Sequence, residues 1–238
     1  KAKSTIYRIL AKIMQLIASD IICVSDYQRS FLRRKKRVLV IPNALQEKFT
    51  SSVAPDHERA FAEKRVLMLG SLKNYKGTAE FIELAHELST FSFELVLNES
   101  EENIAAYCKS QHISTPPNLT IYPRQDNVAP FYSKASLVLN LTNRDKAIET
   151  FGLTALEAMT AGLPVIVPTV GGIAEMVDDG VNGYKIDVHN LEKIKDSIED
   201  ILTNEELYIT LAGNAQKCSK RYSRESMIGM IEQTVCGH

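Results

Sequence analysis

The chain has 238 residues, 45% of them apolar and 24% charged, with a formal net charge of −1. That is an ordinary globular balance, and the length suffices to bury a core without a disulfide or metal staple. The near-neutral charge argues against a dedicated nucleic-acid binder, and no apolar run reaches the ~18 residues of a membrane-spanning helix.

Further exclusions follow from particular residues. No signal-peptide pattern with a cleavage site follows Lys1 to Tyr7. Cys23, Cys108, Cys218 and Cys236 form no CxxC pair and have no histidine beside them at ligand spacing. They read as reduced thiols of a cytosolic protein, not as a disulfide framework or a zinc site.

In chain order, Ile6, Ile9, Leu10, Ile13, Leu16 and Ile17 recur at helical spacing, which predicts an amphipathic helix over 4–18. A short buried strand is expected at 21–24, a helix over 26–34 capped by Ser25, and a strand at 38–41 stopped by Pro42-Asn43. Residues 1–48 carry eleven basic and three acidic side chains, a net of +8 that leaves −9 for the remainder. The run Arg33-Arg34-Lys35-Lys36-Arg37 reads as a solvated loop. Its functional alternative is contact with anionic lipid, worth roughly 1 kcal/mol per basic residue at a membrane surface. No aromatic residues interleave it, which ranks nucleic acid last.

Residues 46–63 are polar and aperiodic and read as a linker. The pattern then becomes regular. Val66-Leu67-Met68-Leu69 is a continuous apolar run closed by Gly70, followed by a helix over 78–88. Strands are expected at 93–97, 119–122, 137–141, 164–167 and 184–186. Helices are expected at 101–111, 127–134, 152–161 and 172–178, with two or three more from 190. Continuous apolar strands alternating with amphipathic helices imply a doubly wound, Rossmann-like α/β parallel sheet covered on both faces.

Ligands of such sheets bind at the carboxyl ends of the strands. Four loops there carry chemistry. Gly70 to Gly77 offers tight turns and the cations Lys73 and Lys76, but lacks the Gly-Lys-Ser/Thr of a P-loop. Glu149 to Glu157 opens a helix that Thr150 is placed to cap, with Gly152 allowing a ligand close to the backbone. The free N–H groups there suit an anion such as a pyrophosphate. Glu157 is a natural bidentate acceptor for two adjacent sugar hydroxyls, or else an ordinary surface carboxylate. Pro168 to Glu175 is a further strand, glycine turn and helix start. Tyr122 to Asp126 has backbone placed to read the edge of a base, or serves as a plain connection.

The run from Glu149-Thr-Phe-Gly-Leu-Thr-Ala-Leu-Glu157 through Gly171-Gly172-Ile-Ala-Glu175 to Tyr184 closely resembles the signature of retaining glycosyltransferases of family 4, which have the GT-B fold. Its two glutamates are separated by seven residues. Weaker likeness extends through Val24-Ser25-Asp26-Tyr27, Ile41-Pro42-Asn43 and the Gly70–Gly77 loop. The resemblance implies two Rossmann-like domains in the whole enzyme. Residues 1–45 correspond to the tail of an N-terminal acceptor domain, 46–63 to a linker, 64–220 to the nucleotide-sugar-binding domain and 221–238 to a C-terminal helix. The chain is then expected to be incomplete, by truncation or because a partner chain supplies the rest.

By position, the resemblance implies Lys76 at the donor phosphates and Glu149 at the transferred sugar. Phe151, Gly152, Leu153 and Thr154 would line the sugar and pyrophosphate, with Glu157 on the ribose and the backbone near Arg124 and Gln125 at the base. Ser71 stands where the family commonly has arginine, and Lys73 or Arg144 is expected to compensate. The implied donor is a nucleotide-diphosphate sugar, and the acceptor a glycan or a lipid-linked hydroxyl. No metal or other cofactor is expected, because cationic groups replace it and no Asp-x-Asp follows a strand. The implied setting is polysaccharide or glycolipid assembly in the cytoplasm, at the cytosolic membrane face. Three rival readings are a non-catalytic nucleotide-sugar-binding subunit, a nucleotide-sugar epimerase and a structural interaction domain. An NAD enzyme lacks its GxGxxG, and a Ser or Cys hydrolase lacks a nucleophile elbow.

Overall fold

The computed structural model describes residues 13, 15, 17–32 and 37–236. The expected helix over 4–18 and the basic positions 33–36 lie largely outside them, as does the side chain of Cys236. Arg37, the last of the basic run, pairs with Asp20 at 2.7 Å.

Strands β1 (Ile21–Cys23) and β2 (Val38–Val40) form a parallel pair, bridged by helix α1 (Asp26–Ser30). The Ser25 hydroxyl caps α1 by accepting from the Gln28 N–H at 3.1 Å, which fills one of the open donors of a helix start. The helix is shorter than expected. Phe31 and Leu32 donate to carbonyls three residues back, Gln28 and Arg29, and this tighter turn closes the helix at Ser30.

Residues 46–63, expected to lack regular structure, carry two short helices, α2 (Glu47–Thr50) and α3 (His57–Glu63). Both are too short to show a period. They are held from outside: Leu45, Val53 and Ala60 are buried in the main core, and the Ala60 carbonyl accepts the Ser136 hydroxyl at 2.5 Å.

The main sheet is formed by β3 (Arg65–Gly70), β4 (Ser92–Leu97), β5 (Leu119–Tyr122), β6 (Leu137–Leu139), β7 (Val165–Val167) and β8 (Gly183–Lys185). Its order is β5-β4-β3-β6-β7-β8, and every neighbouring pair is parallel. This is the doubly wound order expected from the alternating pattern. Parallel strands need crossovers, and those here include α4 (Thr78–Glu87), α5 (Glu101–Ser110), α6 (Ala129–Lys134) and α7 (Leu153–Thr160). The expected helix over 172–178 is a 3-10 turn, Gly172–Met176. Val177 is extended, and the Asp178 N–H turns away to the Asn182 side chain at 2.8 Å.

Helices α8 (Leu191–Thr203), α9 (Glu205–Ser219) and α10 (Arg224–Cys236) complete the chain, with a 3-10 turn at Lys220–Tyr222. Val66, Leu67, Met68 and the whole of β6 and β7 are buried, as sheet strands covered on both faces must be. Cys23, Cys108 and Cys218 are free thiols.

Leu67 lies on the central strand with no exposed surface. Leu67→Ala should lower unfolding free energy by about 2–5 kcal/mol, read as a reduced midpoint in urea titration.

Candidate active site

The sheet order reverses between β3 and β6. Right-handed crossovers carry the chain from these two adjacent strands to opposite faces, opening a crevice at their carboxyl ends. The loops after both strands meet there. Gly77 has φ +75, and a Cβ on it would lie 2.3 Å from that of Leu141. Only glycine permits both that conformation and that approach. The Asn143 N–H donates to the Tyr75 carbonyl at 2.8 Å, and Lys146 Nζ to the Asn74 carbonyl at 3.3 Å.

This seam joins Lys76 to Glu149. The ammonium forms an ion pair with Glu149 Oε1, and the Thr142 hydroxyl donates to the same oxygen at 3.2 Å. Lys76 and Glu149 each keep about a quarter of their side-chain surface exposed. A cation and a carboxylate from separate loops are therefore fixed together at the crevice edge.

Helix α7 starts beside them. Its N-cap is Gly152, and no side chain caps it. The expected cap, Thr150, lies two residues too early, and its carbonyl instead accepts the Ser25 hydroxyl at 2.7 Å. Among the described residues, the first-turn N–H groups of α7 thus have no capping side chain, and they carry the positive end of the helix dipole. Gly152 also has a structural reason: a Cβ there would lie 2.3 Å from Ile173 Cγ1. Phe151 is buried against the Tyr222 ring, 5.9 Å between centroids. Leu153 is half exposed, and the Thr154 hydroxyl accepts from Asn140 Nδ2 at 3.4 Å.

Glu157 follows one turn further along α7. It is no free surface carboxylate, because Oε2 accepts the Tyr132 hydroxyl at 2.5 Å. Burial pushes the Glu157 carboxyl up, and the Tyr132 bond pulls it partly back. Burial and the neighbouring carboxylate push the Tyr132 phenol far above its ordinary value. Glu157 and Leu153 line a cleft of about 340 Å³ with Leu45, Phe49 and Asp126 to Val128.

The other expected site residues lie around this centre. Ser71 is half-buried, and its carbonyl accepts the Thr78 hydroxyl at 3.2 Å. Lys73 is exposed, with Nζ 5.8 Å from the centre of the Tyr75 ring. Arg144 points elsewhere, held by Asp187 at 2.7 Å and Thr169 at 3.0 Å. The Arg124 N–H is engaged by the Glu99 carbonyl at 2.9 Å, and Gln125 Nε2 donates to the Pro123 carbonyl at 3.0 Å. Any backbone edge offered to a base there is what those two bonds leave over. Among the described residues, no group of three or more His, Cys, Asp or Glu side chains could hold a metal ion.

The sequence reading missed Tyr132, Thr142 and Lys146. A tyrosine in a six-residue helix carries no signal beyond an apolar body, and the other two reach the crevice only through loop geometry. Glu175 is legible in the sequence only as part of the loop at 168–175. Its carboxylate accepts the N–H groups of Asp26, at 3.0 Å, and Tyr27. It thereby fastens the start of α1 to the turn after β7.

Residues 54–218 match the model of the family described as glycosyl transferases group 1. The chain belongs to that family. An uncharacterized glycosyltransferase of Methanocaldococcus jannaschii is 30% identical over 217 residues, 89% of this chain and 57% of the relative. The chain spans 57% and 62% of the length of two curated relatives that it matches over most of its own length. In fold it matches the crystal structure of Anabaena HepE in complex with UDP, at TM-score 0.81 and 20% identity over 97% of this chain and 67% of that one. It also matches the C-terminal domain of a group 1 protein of Francisella tularensis, at TM-score 0.59 and 20% identity over 74% of this chain and 98% of that one. The fold is that of GT-B glycosyltransferases.

In this group 1 chain Glu157 binds its proton at higher pH when folded than when unfolded. The folded state therefore holds more protons between the two values, and this contribution to stability falls as pH rises through the folded value. Glu157→Gln keeps an acceptor for Tyr132 but carries no charge. It should be more stable than wild type at pH 8, with the gain shrinking toward pH 4, as measured by urea unfolding at each pH.

Proposed function

We propose that the chain is the donor-binding part of a retaining glycosyltransferase of family 4. The reaction moves a sugar from a nucleotide-diphosphate sugar to an acceptor hydroxyl with the anomeric configuration kept. The observation that carries this reading is the uncapped start of α7 at the sheet's switch point, flanked by Lys76–Glu149 on one side and by Glu157 on the other. Such a helix start is an anion site, and the spacing along α7 suits a diphosphate followed by a ribose. That the Anabaena neighbour was solved with UDP and with UDP-glucose supports the same choice of ligand class.

In the proposed mechanism the diphosphate settles on the first-turn N–H groups of α7 near Leu153 and Thr154. Lys76 faces it from the neighbouring loop. As the glycosyl–phosphate bond breaks, negative charge grows on the leaving phosphate, and both groups stabilise it without reorganising. Glu149 holds Lys76 in place and faces the sugar. It is assigned no nucleophilic role, and the leaving phosphate takes the proton of the attacking hydroxyl on the same face. Glu157 accepts ribose hydroxyls. A fixed cation and a helix dipole supply the positive charge that a metal ion could otherwise supply, so the reaction is proposed to be metal-independent.

The proposed domain scheme is 1–45 from an acceptor domain, 46–63 a connecting segment of two short helices packed on the donor core, 64–220 the donor domain and 221–238 a terminal helix. The acceptor is a glycan or a lipid-linked hydroxyl, and the setting is the cytosolic face of a membrane in polysaccharide or glycolipid assembly. The compensation for Ser71 is proposed to come from Lys73, since Arg144 is already held by Asp187 and Thr169.

Calorimetric titration with UDP, GDP, ADP and CDP, with and without magnesium, tests the reading. One nucleotide should bind independently of metal, and Glu157→Ala should abolish that binding. Failure of all four to bind would overturn it. In a chain with a complete acceptor half, Lys76→Ala should lose about 3 kcal/mol of transition-state stabilisation, seen as roughly a hundredfold drop in kcat.

A further inference from the structure

We propose that Tyr132 is the positioning residue that makes the site selective for ribonucleotides, by holding the Glu157 carboxylate in its ribose-accepting orientation. This rests on the donor-site reading above.

Glu157 sits on α7 with a flexible side chain and a carboxylate at the wall of the 340 Å³ cleft. Unheld, it would sample several rotamers, and every hydroxyl it bound would have to offset that lost freedom. Tyr132 removes the freedom in advance. Its side chain is fully buried on α6, with its ring set edge-on to Phe49 at 5.4 Å. Phe49 lines the same cleft. Within this packing the hydroxyl donates to Glu157 Oε2 at 2.5 Å, with the Thr154 carbonyl a further 3.4 Å neighbour.

The donor–acceptor arithmetic favours this role. An ionised carboxylate accepts only, and each oxygen has two lone-pair sites. Tyr132 occupies one site on Oε2. Among the described residues no other hydrogen bond reaches this carboxylate, so Oε1 and the remaining site on Oε2 are left for two vicinal hydroxyls. A hydrogen bond to a charged acceptor is short and strong, so the phenol both orients the carboxylate and favours its ionised form against the cost of burial. Protonated or rotated away, Glu157 would no longer accept from both hydroxyls, and the site would lose its means of telling ribose from a deoxy sugar. The contrasting reading is a core tyrosine that merely finds an acceptor. It predicts a loss of stability that is blind to the ligand's sugar.

The test is calorimetric titration of the full 238-residue chain with UDP and GDP and with their 2′,3′-dideoxy forms. Wild type should prefer the ribonucleotide. Tyr132→Phe deletes one oxygen and keeps the ring, and should weaken ribonucleotide binding about tenfold while leaving dideoxynucleotide binding within about twofold. Replacement of Tyr132 by 4-aminophenylalanine, which restores an N–H donor at similar reach, should restore the preference. Thermal melts of each variant separate folding from binding. A preference unchanged in Tyr132→Phe but lost in Glu157→Gln overturns this inference and leaves the donor-site reading standing. Equal weakening toward both sugars also overturns it. A wild-type chain that binds no nucleotide, or a Glu157→Gln variant that keeps the preference, overturns the donor-site reading and the inference together.

Discussion

The parallel arrangement of β3 and β6 is the constraint on which the site depends. Parallel neighbours cannot be joined by a hairpin, so each strand must leave the sheet through a loop at its carboxyl end and return by a crossover. In the order β5-β4-β3-β6-β7-β8 these two strands leave toward opposite faces. The loops they release touch at the strand ends before they part to opposite faces. Gly77 against Leu141 and Asn143 against Tyr75 are that packing. Lys76 and Glu149, 73 residues apart, meet because the seam brings their loops together.

The chemistry of the crevice follows from what this arrangement leaves unsatisfied. Most polar groups around it are spent internally: Arg144 on Asp187, the Arg124 N–H on Glu99, and Glu175 on the start of α1. The start of α7 is different, since Gly152 offers no side-chain acceptor. Glu157 differs too, its carboxyl pushed up by burial and pulled partly back by the Tyr132 hydroxyl. One element thus presents a positive end and, one turn on, a carboxylate. That order along a single helix defines a direction for any ligand that carries both an anion and neighbouring hydroxyls.

Much of the scaffold was legible in the residues themselves. The apolar run at 66–69 marks a strand buried on both faces, and Ser25 marks the start of α1, because each depends on local chemistry. The resemblance pointed to Glu149 and Glu157 in one run and to Lys76 in the Gly70–Gly77 loop, and the Lys76–Glu149 ion pair joins those two segments. What escaped depends on contacts distant in sequence. Residues 47–50 and 57–63 are helical because the core claims Leu45, Val53 and Ala60, not because of any period. Thr150 reads as a cap because its hydroxyl is near a helix start, yet the helix begins two residues later, with Gly152 as its N-cap. Tyr132 reads as core packing, and only its 25-residue reach to Glu157 gives its hydroxyl a purpose.

The bond between Glu175 and the start of α1 has a mechanical consequence. Its carboxylate holds the N–H groups of Asp26 and Tyr27, while Gly172, at the head of the same 3-10 turn, donates to the Glu149 carbonyl at 2.8 Å. The Ser25 hydroxyl on the Thr150 carbonyl gives a second linkage one residue away. The start of α1 is therefore fastened beside the crevice at two points, Ser25 on Thr150 and Asp26 and Tyr27 on Glu175. The backbone of Glu149, the partner of Lys76, and of Thr150 beside it is tied to β1 and α1 by these hydrogen bonds.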